Sequence, residues 1–255
     1  MTRPGIHCLK PVVALVVILT TAAGVQAQRT VSTRNLFWGS VVCNYAFNER
    51  WALVSDGFFR AEINDGDLFQ SGLRAGLQYK TTRQFQWAAG GCALLHYPNP
   101  NGQPARPELR GWQEFGRRFE WGIHHLFFPR IRLEQRFIRE YEGNDLSKAY
   151  AFHSWRLRIK TEYFYEIGTG GNERWTLVAG HEILFQQRGN GFTSLDQNRT
   201  WAGAAYKFSA AFIMQLTYLH ILQQRSHTAL DQFHILRLTF QFNLQRGVHD
   251  DSSQK

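Results

Sequence analysis

Two stretches in the middle of the chain alternate side chains able to recognise charge with apolar bulk: Arg130-Ile-Arg-Leu-Glu-Gln-Arg136 and Ser154-Trp-Arg-Leu-Arg-Ile-Lys-Thr-Glu-Tyr163. In the first, Arg130, Arg132, Glu134 and Arg136 alternate with Ile131, Leu133, Gln135 and Phe137. In the second, Arg156, Arg158, Lys160 and Glu162 alternate with Trp155, Leu157, Ile159 and Tyr163. Alternation at every residue is strand periodicity, so the ionic groups of each stretch share one face. Glu182 and Arg199 extend this polar network, and the same parity adds Arg74, Glu108, Arg110, Glu114 and Arg237. Such a set has two chemistries open to it. Guanidiniums and carboxylates can brace one another as ion pairs, or an excess of arginine can select anions, as basic rings do in pores.

Catalysis has weaker ingredients. A hydrolase needs a nucleophile within reach of a base, and the candidates are His153, Ser154, His181, His220, His227 and His234. None stands in a Gly-x-Ser-x-Gly motif, and adjacent His153 and Ser154 would point to opposite faces of a strand. His124 and His125 fail as a metal pair for the same reason. No catalytic residue, metal ligand or cofactor is therefore assigned, and the chain is not expected to be an enzyme; an outer-membrane lipid-modifying enzyme stands as an alternative. Asn198-Arg-Thr200 matches a glycosylation acceptor by chance, because it falls within a strand. Cys43 and Cys92 lack metal-ligand spacing and read as small wall residues, with their pairing left open.

The elements that must position these groups are strands along almost the whole chain after residue 27. Alternating segments run over 35–45, 50–60, 69–79, 84–96, 108–119, 124–139, 152–165, 175–186, 197–206, 211–223 and 231–244. Short connections (80–83, 168–173, 207–210) intersperse with longer polar ones (98–107, 140–148, 188–196, 225–230), the rhythm of an outer-membrane barrel. In the last strand Leu236, Leu238, Phe240 and Phe242 oppose Ile235, Arg237, Thr239 and Gln241. Aromatics make up 15% of the chain. Phe37, Trp38, Tyr45, Trp51, Tyr79, Trp87, Tyr97, Trp121, Trp155, Tyr165, Trp175, Trp201 and Tyr206 fall near strand ends, where an interfacial girdle would place them. The predicted fold is all-β, one antiparallel transmembrane barrel of ten to twelve strands. Twelve is favoured, because an even number puts both termini in the periplasm.

Residues 1–27 read as a secretory signal, with Arg3 and Lys10, an apolar run from Pro11 to Ala23, and Val25-Gln-Ala27 before the cleavage point. The barrel then spans 28–244, and 245–255 is a polar tail. The formal charge is +9, of which Arg3 and Lys10 supply two, yet the cations alternate with bulky residues and form no run. Nucleic acid is a poor partner for an exported chain; outer-membrane lipid and small anionic solutes are better ones. A soluble periplasmic lipid-binding barrel would carry the same alternation inverted, with apolar groups inside.

Arg130-x-Arg-x-Glu-x-Arg136, Arg156-x-Arg-x-x-x-Glu162, Gln197-Asn-Arg199 with Gly203 and Tyr206, and the closing pair 218–223 and 234–242 together resemble the family called domain of unknown function 2490. That family is one of predicted outer-membrane barrels common in Bacteroidetes and relatives. The resemblance implies a barrel in the outer membrane of a Gram-negative bacterium and supplies no reaction. A structural role or passive transport or binding is expected, an anion-preferring pore being the alternative.

Overall fold

The computed structural model describes residues 30–81, 84–97, 103–143, 145–168, 173–188, 191–226 and 229–245. The expected signal segment, 1–27, and the expected tail beyond residue 245 lie outside them. Eleven strands close a barrel: β1 (Thr30–Ala46), β2 (Trp51–Glu62), β3 (Leu68–Lys80), β4 (Phe85–His96), β5 (Arg106–Arg117), β7 (His125–Ile138), β10 (Ala151–Ile167), β11 (Trp175–Arg188), β12 (Gly191–Lys207), β13 (Phe212–Gln224) and β14 (Ala229–Gln245). A three-residue strand, β6 (Phe119–Trp121), folds back on β7, and β8 (Tyr141–Glu142) pairs with β9 (Asp145–Leu146) in the connection before β10.

Neighbours in sequence pair antiparallel around the wall. The exception is the seam, where β1 and β14 run parallel from Thr30↔Ala229 to Ala46↔Gln245. The number is therefore eleven, within the expected ten to twelve but not the favoured twelve, and orientation is mixed where a wholly antiparallel barrel was expected. A parallel seam puts the start of β1 and the end of β14 at opposite ends of the barrel. We call the end where β1 begins the upper rim. It also carries the two longest connections, 97–105 and 139–150.

The connection rhythm needs correction. Residues 188–196 were expected to form a long loop, but β11 runs to Arg188 and β12 begins at Gly191. Likewise 225–230 shortens to 225–228. Only 97–105 and 139–150 remain long at the upper rim.

Strand parity sorts every side chain to one of two faces. Outward stand Leu73, Leu77, Ile131, Ile159, Leu216 and Leu236, all exposed, Leu73 to 70%. Around the lower rim the outward aromatics touch one another from strand to strand: Trp51 with Tyr79 (4.9 Å), Trp87 with Phe115 (4.3 Å), Trp175 with Tyr206 (4.9 Å) and Phe212 with Phe242 (5.1 Å). Such pairs add about 0.5–1.5 kcal/mol each beyond the area they cover. Nearer the upper rim Phe152 contacts both Phe137 and Trp155, and Tyr218 bonds His234 Nδ1 at 2.5 Å. Trp38 and Trp201, expected in the girdle, are the corrections here. Both line the interior, because they share parity with Ser40 and Arg199. Cys43 takes the outward parity of β1 while Cys92 lines the interior, so the two thiols occupy opposite faces and both are free.

Candidate functional site

The inward face encloses a cavity of 1480 Å³. Its lining reaches the lower rim at Ala46, Lys80, Ile123, Ala210 and Gln245, so the cavity opens there. Toward the upper rim the inward side chains pack. Leu36, Ile138, Leu184, Leu219, Ile235 and Glu108 are each less than 2% exposed. Phe69 of β3 reaches Phe233 of β14 across two intervening strands, with ring centroids 6.1 Å apart. The interior is a vestibule with a largely packed floor, past which the lining still reaches His96, Arg106 and Gln223 at the upper strand ends.

Its two walls differ in chemistry. On β1 and β11–β14, Leu36, Val178, Trp201, Leu219, Ile221, Phe233 and Ile235 form an apolar cluster. On β5, β7, β10, β11 and β12 stand the charges. All ten residues of the expected network (Arg130, Arg132, Glu134, Arg136, Arg156, Arg158, Lys160, Glu162, Glu182 and Arg199) line the cavity. The register sets cations opposite one another, Arg132↔Arg158, Arg130↔Lys160 and Arg110↔Arg136. Like charges directly opposed repel. Diagonal carboxylates relieve this.

Arg158 donates to Glu134 (2.7 Å) and to Glu182 (2.8 Å), and Arg199 donates to the other oxygen of Glu182 (3.1 Å). Arg132 donates to Glu114 (2.8 Å), while Arg130 pairs with Glu162, which Lys160 also reaches (2.9 Å). Nearer the floor, Glu108 accepts from Arg110 Nε (2.7 Å) and Arg136 Nε (2.5 Å) and lies 2.7 Å from His96. Arg156 pairs with Asp196 (2.9 Å). The carboxylates are nearly buried and shared, the arrangement in which desolvated charges are tolerated.

Small residues admit the large rings. An added Cβ at Gly180 would collide with the Trp201 indole, and one at Gly76 would lie 2.5 Å from the Trp112 ring. Two inward wall glycines thus let indoles lie flat against the sheet, Trp112 donating to Gly91 O (3.2 Å).

Sequence reading placed Arg60 at the end of the strand segment 50–60 but left it out of the inward set; it lies near the end of β2. Its guanidinium stacks on Trp38 with Cζ 3.9 Å from the ring centroid, and no carboxylate pairs with it among the described residues. The signal was there in its spacing from Asp56, which also lines the cavity and pairs with Arg74. Of the candidate catalytic groups, His220 and His234 face one another across β13 and β14 with ring centroids 5.2 Å apart and Gln232 between them, while the other described ones stand apart. His153 lies 3.5 Å from Glu140, whereas Ser154 is 3% exposed with an unpartnered hydroxyl. His181 bonds Asn198 (2.9 Å) on the outer face, and His227 lies outside the described residues. No group of three or more potential metal ligands occurs among the described residues.

The family model described as "Protein of unknown function (DUF2490)" matches residues 35–234. No curated protein matches the chain.

Proposed function

The chain belongs to the DUF2490 family of proteins of unknown function, and from that premise we propose an integral outer-membrane barrel of a Gram-negative bacterium. Its interior would be a braced, anion-attracting vestibule serving binding or a structural role. One observation carries the membrane reading: the outer face is a belt of exposed aliphatic side chains edged by contacting aromatics, while the charges point inward. That is the polarity of a barrel bathed in lipid and the inverse of a soluble lipid-binding barrel. Closing the ladder at the β1–β14 seam leaves no strand edge to be desolvated.

The anion preference rests on the lining, where Arg and Lys outnumber Asp and Glu two to one. The packed floor favours a vestibule over an open pore. Refolded protein in a planar bilayer with a salt gradient separates the two. The vestibule reading expects a heat-modifiable, inserted protein without stable conductance steps. Steady anion-selective steps would replace it with the pore reading and make the lumenal arginines a filter.

A further inference from the structure

Above the exposed Leu216 and Leu236, toward the upper rim, the outer wall changes from aliphatic to imidazole. His220 of β13 and His234 of β14 stand directly opposite one another in the register, their ring centroids 5.2 Å apart. Both are half-buried. Their strand neighbours Leu219, Ile221, Phe233 and Ile235 turn inward to the apolar cluster, so parity leaves the two rings on the outer surface with Tyr218 and Gln232.

The Nε2 atoms of the two rings face one point. The side-chain nitrogen of Gln232 lies 3.0 Å from Nε2 of His220 and 3.2 Å from Nε2 of His234. An amide nitrogen only donates, so with Gln232 in this orientation each Nε2 accepts, its lone pair directed at that position. The proton of His234 is then on Nδ1, which donates to the Tyr218 hydroxyl at 2.5 Å. A bond of this kind from the far nitrogen is what fixes the tautomer and ring plane of a metal-bound imidazole.

Two convergent imidazole lone pairs on adjacent strands are a ligand set for a divalent transition metal. A cation there would take the place of the Gln232 amide nitrogen, and the amide, turned over, would offer its oxygen as a third ligand. Two imidazoles, an amide oxygen and water fall short of the closed four-ligand cage of a structural zinc site. They suit copper(II), which nitrogen and oxygen donors hold most tightly among the divalent first-row ions and which accepts a tetragonal shell completed by water.

We propose that His220 and His234, with Gln232, form a copper(II) site on the outer wall near the upper rim. It lies on the opposite face of the sheet from the vestibule and is independent of what the vestibule holds.

Untagged, refolded barrel in detergent, titrated with copper(II) chloride and followed by pulsed electron paramagnetic resonance, tests it. One copper per barrel is expected, with spin-echo modulation from two coordinated imidazoles. Loss of a partner that orients a ligating histidine typically costs about 10–100-fold in affinity, so Tyr218→Phe should keep both imidazoles and weaken copper about tenfold. His220→Ala and His234→Ala should each remove one imidazole from the modulation and weaken copper by at least about hundredfold, the upper end of that range. His181→Ala, which deletes an outer-face imidazole bonded to Asn198, should leave binding unchanged. Zinc at equal concentration should leave the copper in place. Circular dichroism of each variant checks that it has folded. A folded barrel that binds no copper, or one whose two-imidazole signal survives His220→Ala or His234→Ala, overturns the site. Zinc displacing copper at equal concentration overturns the choice of metal, and unchanged affinity in Tyr218→Phe overturns the positioning role of Tyr218.

Discussion

On the proposed membrane reading, replacing Ile159 by Arg should prevent stable insertion, because Ile159 lies at the midpoint of β10 (Ala151–Ile167) on the outward face and is 41% exposed. A cation at bilayer mid-depth on a barrel wall costs about 2–4 kcal/mol, and the cost falls to about 0–1 near the interfaces. Leu177→Arg, two residues from the girdle residue Trp175, is therefore the control. The fraction of protein that folds into lipid vesicles, read from its heat-modifiable band across a urea series, should collapse for Ile159→Arg and change little for Leu177→Arg. A soluble barrel has no such depth dependence. Equal behaviour of the two variants would remove the bilayer from the explanation.

The second large effect lies inside. Glu108 is fully buried and shared by Arg110, Arg136 and His96, so Glu108→Ala leaves the desolvated Arg136 without a carboxylate and Arg110 with only Glu134 at 3.4 Å. Breaking a buried pair from one side costs about 3–5 kcal/mol, far more than the pair's net worth against an apolar replacement. Glu140 provides the contrast. Its side chain is 51% exposed, it reaches Arg106 at 3.6 Å, and exposed pairs of this kind contribute about 0–1 kcal/mol. Urea midpoints should fall steeply for Glu108→Ala and hardly at all for Glu140→Ala. Matching midpoints would mean that the interior ion pairs do not brace the barrel.

Much of this was legible because a strand writes its two faces into alternate residues. All eleven alternating segments became barrel strands, and the arginines of 130–136 and 156–160 share the inward parity with Glu134 and Glu162. The error in strand number came from outside the pattern. The premise that both termini must lie on one side displaced a direct count of eleven in favour of twelve, and a parallel seam removes that premise. Closure is a pairing between residues 199 apart in sequence, such as Ser40 with Thr239, and local alternation holds no information about it.

Composition misled in two other places. Arg188-Gly-Asn-Gly191 reads as the start of a long loop, but Gly189-Asn190 is also two-residue hairpin chemistry, and the strand resumes at Gly191. Trp38 and Trp201 were assigned to the girdle by closeness to strand ends, although the parity of Trp201 with Arg199 already directed it inward. The Arg60 cluster was out of reach for a different reason. It joins β2, β1 and β14 across the seam, so nothing in any one segment reveals that Arg60 and Arg237 share an indole.

An eleven-stranded barrel that spans a membrane must expose its two ends to different compartments. Peptide tags placed immediately before Thr30 and immediately after Gln245, probed with antibody on intact and on permeabilised cells, test this most directly. With the longer connections 97–105 and 139–150 facing outward, the tag before Thr30 should be reached on intact cells and the tag after Gln245 only after permeabilisation. Both tags reached on intact cells, or neither, while both are reached after permeabilisation, would contradict a membrane-spanning barrel with a parallel seam.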